Sequence, residues 1–265
     1  MPFGFFPVRK AVIAMAHIGA LPGSPLHDAK GGMAALIDGV AKDVENLQAA
    51  GVDAIMFGNE NDRPYLLKAT PESRAAITAV VAAVKPLLKV PFGVNYLWDP
   101  TASVAIAVAT GASFVREIFT GVFASDMGIW APDGATPARL RHNLGRDDLK
   151  LLFNINAEFA FPLDGRPIAL RAKSAIFSSL ADAVLVSGPI TGRPAALSDL
   201  QAVREAVSEV PIFANTGVNI DNVRDVLSLA DGVVIGTHFK VDGNTWNPVD
   251  PARAKRFMDV VNTLR

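Results

Sequence analysis

The chain has no cysteine among its 265 residues. Disulfides and thiolate metal sites are therefore excluded, and redox chemistry gives no clue to compartment. Charge of one sign is also missing. The 25 Lys and Arg residues are balanced by 26 Asp and Glu residues, for a net charge of −1. No basic block or aromatic-interleaved patch breaks that balance, so nucleic acid is not an expected partner. No apolar run reaches the roughly 18–20 residues needed to cross a bilayer, so membrane insertion is not expected. The apolar start of the chain is broken by Pro2 and Pro7, and the next apolar run holds His17 without a clear cleavage site. It reads as a first strand rather than a signal peptide, and a cytoplasmic location is the default expectation. Charged residues make up only 19% of the chain against 50% hydrophobic, which excludes disorder and suits a large core.

Several chemical signatures are missing too. No Gly-x-Gly-x-x-Gly follows a predicted strand, so there is no dinucleotide fingerprint. Gly-x-Ser-x-Gly is absent, which removes the nucleophile elbow. Lys10, Lys89 and Lys150 precede predicted strands and Lys240 lies beyond the last one, so none falls at a strand end. Schiff-base chemistry needs a desolvated lysine, and a lysine-dependent aldolase is disfavoured.

What the chain does have is eight short apolar runs separated by helix-length segments. They are Val12–Ile18, Ala54–Asn59, Pro91–Leu97, Phe114–Phe119, Leu151–Asn156, Ala183–Ser187, Pro211–Asn215 and Val233–Gly236. Continuous apolar runs suit parallel strands buried on both faces. Strand and helix alternating eight times predict an α/β fold, a single (β/α)8 TIM barrel spanning residues 1–265. Gly51 should stop the first helix, Thr70 with Pro71 should start the second, and Asn219 should cap the seventh. Thr120 to Pro137 reads as the longest irregular stretch, either a lid or a packing loop over an apolar patch or subunit interface.

In such barrels chemistry sits at the carboxyl ends of the strands. His17, Asn59, Glu60, Asn95, Glu117, Asn156, Glu158 and Asn215 all fall there. His17, Glu117 and Glu158 are the candidate catalytic residues, because carboxylates and a histidine suit proton abstraction beside a carbonyl. They also suit an octahedral divalent metal, so no cofactor is demanded and a metal stays an open alternative. Glu117 adjoins Arg116, and one of the two must face inward. A wall-bound Arg–carboxylate strut is the plainer account. Asn59, Asn95, Asn156, Asp126 and Ser187 are candidate substrate contacts. Glycines beside hydroxyls after the last strands supply free N–H groups for a phosphate. That makes Gly188, Asn215, Thr216, Gly217, Gly236 and Thr237 candidate phosphate-binding residues. The apolar N-terminal segment, with Trp98, Trp130 and Trp246, suggests interface anchors of a homo-oligomer.

Taken together, several stretches resemble the BtpA family, named for a photosystem I biogenesis factor, and more closely its SgcQ-like branch. They include His17-Ile18-Gly19-Ala20-Leu21-Pro22-Gly23-Ser24-Pro25, Asn59-Glu60-Asn61-Asp62, Phe92-Gly93-Val94-Asn95, Phe114-Val115-Arg116-Glu117-Ile118-Phe119-Thr120-Gly121 and Ala214-Asn215-Thr216-Gly217-Val218. The resemblance implies a barrel of the ribulose-phosphate-binding type and assigns no catalytic residue. The photosystem branch tends to carry Lys-His after the fifth strand, where this chain has Glu158-Phe159. It tends to carry Gly-Ser-Gly after the seventh, where this chain has Asn215-Thr216-Gly217. Both departures weaken transfer of the photosystem role.

Three functions compete. The first is an isomerase, epimerase or lyase acting on a phosphorylated sugar or related metabolite, which makes a phosphorylated small molecule the expected partner. The second is cleavage of a glycosidic or N-glycosidic bond by a carboxylate pair. The third is a non-catalytic assembly or stability factor.

Overall fold

The computed structural model describes Phe6 and residues 8–265. The proposed N-terminal anchor lies, apart from Phe6, outside the described residues. Among the described residues, eleven strands and eight α-helices follow in chain order. They are β1 (Ala11–His17), α1 (Gly32–Ala50), β2 (Ala54–Gly58), α2 (Pro71–Val84), β3 (Phe92–Asn95), α3 (Pro100–Thr110) and β4 (Phe114–Glu117). Next come β5 (Phe123–Ser125), β6 (Gly128–Trp130), α4 (Ala135–Asn143), β7 (Lys150–Asn154), β8 (Ala160–Pro162), α5 (Ile168–Ser179) and β9 (Ala183–Ser187). The chain finishes with α6 (Leu197–Ala206), β10 (Ile212–Asn215), α7 (Val223–Leu229), β11 (Gly232–Ile235) and α8 (Pro251–Asn262).

Eight of these strands close a parallel barrel in the order β1-β11-β10-β9-β7-β4-β3-β2. Each overlaps one of the eight apolar runs, and the expected barrel is the observed one. Alternation along the strands sorts side chains into two populations. One faces the helices. The other fills the lumen: Ile13, Met15, Met56, Phe114, Leu152, Leu185, Phe213 and Val234 form one buried cluster. Phe6 closes the amino-terminal end, edge-on to Phe114 at 5.8 Å and to Phe213 at 6.0 Å. Large rings fit because glycines stand opposite them. A Cβ on Gly93 would lie 2.2 Å from the Phe114 ring, and one on Gly232 would lie 2.4 Å from Phe213.

Helix starts follow local chemistry. Thr70 accepts a hydrogen bond from the Ser73 N–H, Asp99 from Ala102, and Asp250 from Ala252 and Arg253, each just before a proline. Asn219 does not cap the seventh helix. Its side chain accepts from Asp221 and Asn222 in a turn, and Asn222 occupies the cap position. The stretch 120–137 is not irregular throughout. It folds into the β5–β6 hairpin, which β8 extends to a three-stranded antiparallel sheet. Phe123 and Trp130 pin this sheet down, buried with Trp98, Ile118 and Ala157. Trp98 and Trp130 are thus core residues rather than surface anchors, whereas Trp246 is 42% exposed.

The barrel seam joins the two ends of the chain. β1 pairs with β11 from Ala11↔Gly232 to Ala14↔Ile235. Above the seam, buried Lys240 donates to Asp43 on α1 at 2.6 Å, and the other oxygen of Asp43 accepts from the Val249 N–H at 2.7 Å. No helix among the described residues is long and apolar enough to cross a membrane.

The lumen packing makes a direct prediction. Gly93→Val should lower stability by about 1–3 kcal/mol through overpacking, and Phe114→Leu in the same chain should restore part of it. Urea denaturation measures both. A Gly93→Val protein as stable as the parent would contradict the described contact.

Candidate active site

The same alternation that builds the lumen builds the site. Met15, Phe114, Leu152, Phe213 and Val234 point into the barrel. Two residues further along each strand come His17, Arg116, Asn154, Asn215 and Gly236, and all five line a cleft at the carboxyl end. The end of β4 adds Glu117, and the loops add Glu60, Tyr65, Trp98, Glu158, Thr191, Thr216, Gly217, Thr237 and Trp246 to its wall. The cleft holds about 90 Å³. An outer cleft of about 740 Å³ continues from it, sharing Tyr65, Phe159, Thr191, Thr245 and Trp246.

Glu60 is the centre of the arrangement. It follows β2, and its carboxylate folds back over Gly58, where a Cβ would lie 2.4 Å from Oε2. The glycine thus leaves room for the acid. Glu60 Oε1 is 3.8 Å from Arg116 Nη2, and Oε2 is 3.9 Å from His17 Nε2. Burial pushes the Glu60 carboxyl above its usual range, and the Arg116 charge offsets part of that rise. His17 moves the other way. Burial, reinforced by the nearby Lys240 charge, lowers its imidazole to about 3. The ring is therefore neutral at pH 7. Its Nδ1–H donates to the Thr245 carbonyl at 3.4 Å, which leaves Nε2 as the acceptor facing Glu60.

Glu117 is held differently. Its Oε1 accepts from Asn95 Nδ2 at 2.8 Å and from the Trp98 N–H at 2.9 Å, while Oε2 accepts from the Ile118 N–H at 2.6 Å. Burial still raises the carboxyl to about 7, against the opposing pull of Arg116 and these donors. The ion-pair partner of Arg116 is Glu60 rather than the adjacent Glu117.

The remaining candidates fall into three places. Asn215, Thr216, Gly217, Gly236 and Thr237 line the cleft together with His17, Glu117 and Glu158. Asn59, Asn95, Asn156 and Ser187 are not on its wall but support it. Asn59 accepts from the Leu97 N–H, Asn95 also donates to the Arg116 carbonyl, and Asn156 exchanges two hydrogen bonds with the Ser187 backbone. The Ser187 hydroxyl accepts from Asn154 and Asn215. Gly188 lies against the Arg193 carbonyl, where a Cβ would clash. Asp126 lines only the outer cleft.

Sequence reading named Glu60 among the strand-end residues but gave it no role, and it treated Arg116 as a strut. Strand parity carried the missing signal, since Phe114 inward puts Arg116 inward, and Leu152 does the same for Asn154. Glu60 Oε2, Trp98 Nε1, Arg116 Nε and Asn154 Oδ1 are buried without a hydrogen-bond partner among the described residues. All four belong to side chains that line the cleft, and orphaned polar atoms of this kind are costly unless a ligand meets them. No group of three or more His, Asp or Glu side chains among the described residues is placed to hold a metal ion.

The BtpA family profile matches residues 8–263. The chain belongs to the BtpA family. It is 46% identical over 257 residues to the sgc region protein SgcQ of Escherichia coli (strain K12), covering 97% of this chain and 96% of that one. It is 30% identical over 262 residues to the photosystem I biogenesis protein BtpA of Synechocystis, covering 98% and 90%. Among solved structures, this BtpA-family barrel superposes on phosphoribosyl anthranilate isomerase from Thermus thermophilus with a TM-score of 0.59. There the identity is 12%, with 97% of this chain and 100% of that chain covered, so the likeness concerns the fold.

The buried groups predict opposite pH effects. Glu117 keeps its proton up to about pH 7 when folded, while an unperturbed carboxyl releases it near 4.5. Between those values the folded state binds more protons, so this group destabilises the fold as pH rises. His17 stays neutral down to about 3 when folded but charges near 6.5 when unfolded, so stability falls as pH drops through that window. Glu117→Gln removes only the first effect. Relative to the parent, its stability should rise by up to about 3 kcal/mol from pH 4.5 to 7, as read by urea titration at each pH. A difference that stays flat would remove the perturbed carboxyl.

Proposed function

We propose that this protein is a small-molecule enzyme of carbohydrate metabolism. It moves a proton beside the carbonyl of a sugar, a phosphorylated sugar or a related metabolite. The observation that carries this reading is the meeting of Glu60, His17 and Arg116 in one desolvated cleft, with the acid pushed up and the imidazole pushed down. Titratable neighbours whose order of proton affinity is reversed in this way suit distinct roles in proton transfer.

Glu60 is the base, because its Oε2 is buried, faces the cleft and lacks a partner among the described residues. It takes the proton from the carbon next to the carbonyl. Arg116 stabilises the negative charge that then develops on the carbonyl oxygen. Neutral His17 passes a proton between substrate oxygens through Nε2. Glu117 orients the Trp98 loop through the hydrogen bond it accepts from the Trp98 N–H. The loops after β10 and β11 receive the far end of the substrate.

Fold likeness adds modest support, since phosphoribosyl anthranilate isomerase carries out an isomerisation on a related barrel. A non-catalytic scaffold, as the photosystem relative suggests, would have no need for four orphaned polar atoms around one cleft.

The test is deuterium exchange. Aldoses, ketoses and their phosphate esters are incubated with the protein in heavy water, and NMR reads label entering the carbon beside the carbonyl. Wild-type protein should label at least one of them. Glu60→Gln should slow this by about 100-fold or more in a protein that still folds, as circular dichroism reads. Exchange that survives the substitution removes Glu60 as base, and no exchange with any compound sinks the reading.

A further inference from the structure

The loops after the seventh and eighth barrel strands are the usual phosphate seat of this architecture. Here a carboxylate reaches the first of those loops and the loop after the sixth strand beside it. Glu158 comes from the loop after β7 and reaches across the mouth. Its Oε2 accepts from the Thr191 hydroxyl at 3.1 Å, and its Oε1 accepts from the Thr216 hydroxyl. Thr191 follows β9 and Thr216 follows β10, so one carboxylate bridges two loops that would otherwise offer their donors to an anion. Thr216 sits at φ 70, a strained conformation for a side chain with a branched Cβ, and the surrounding loop has to enforce it.

The charge balance of the cleft points the same way. Its wall carries three acidic side chains, Glu60, Glu117 and Glu158, the first two with proton affinity raised by burial, against a single guanidinium, that of Arg116. Two other basic groups add little. His17 is neutral at pH 7, and Lys240 is paired with Asp43. A phosphate ester arriving at Thr191 and Thr216 would meet a carboxylate already holding both hydroxyls and would add two negative charges beside it. A sugar hydroxyl arriving there donates to that carboxylate instead.

We infer that Glu158 is a specificity-determining residue that turns this seat from a phosphate site into a hydroxyl site, so that the substrate end held here is unphosphorylated. The inference narrows the substrate class of the reading above and rests on the same cleft. Gly217 offers no clean probe of the seat, because a Cβ there would lie 2.2 Å from the Arg193 backbone and displace the loop.

Calorimetry with inorganic phosphate on the full chain supplies the test. Glu158→Gln keeps the shape and removes the charge, and Glu158→Ala removes the side chain should the amide perturb the loop. Both variants should bind phosphate at least tenfold more tightly than wild type. If neither variant gains tenfold, including the case in which nothing binds phosphate, the inference is overturned. Phosphate binding is read without turnover, so it succeeds or fails independently of the role given to Glu60.

Discussion

Dryness at the top of the lumen is the condition on which the site depends. Phe6, Phe114 and Phe213 fill the barrel below, and Trp98 with its aromatic neighbours seals one side. Water is thereby kept from the undersides of His17, Arg116 and Glu60. The perturbed proton affinities of His17 and Glu60 follow from that exclusion, since desolvation is the largest influence on both. In a wetter cleft the same three side chains would be an ordinary surface acid, base and imidazole.

Support comes from a belt of amides and hydroxyls beneath the wall. Asn95 ties β3 to β4 while holding Glu117, Asn156 ties the loop after β7 to β9, and Ser187 gathers Asn154 and Asn215. Such a network fixes the cleft side chains on rigid strand ends rather than on free loops. It also explains why so many asparagines stand at strand ends. Each satisfies backbone or side-chain groups that the barrel ladder leaves open at its rim.

Much of this was legible in the sequence. Unbroken apolar runs fixed the strand number, and with it the end of the barrel that carries polar residues. His17 and the Asn215–Gly217 turn followed from position alone. Glu60 and Arg116 were harder. Arg116 needed the inward parity set by Phe114, and a run that is apolar on both faces hides parity. Glu60 lies two residues beyond its strand, and only the missing Cβ of Gly58 shows that its side chain turns back into the lumen. Asn59, Asn95 and Asn156 could not be separated from true wall residues, because supporting and lining amides look alike along a chain. The antiparallel sheet was illegible for a simpler reason. Strands of three residues, one of them starting on a glycine, carry no readable period.

The seam between β1 and β11 bears on how the protein is made. A ribosome releases β1 long before its second partner, which begins at Gly232. Until then the growing sheet has two open edges, and Asp43 waits for Lys240, which lies 197 residues later. A nascent barrel of this kind is an incomplete ribbon through most of its synthesis, exposed to wrong pairing in the way that open edges invite. The residues from Gly232 to Lys240 close the ring and pair with the waiting carboxylate together, so the fold becomes complete only once they have been made.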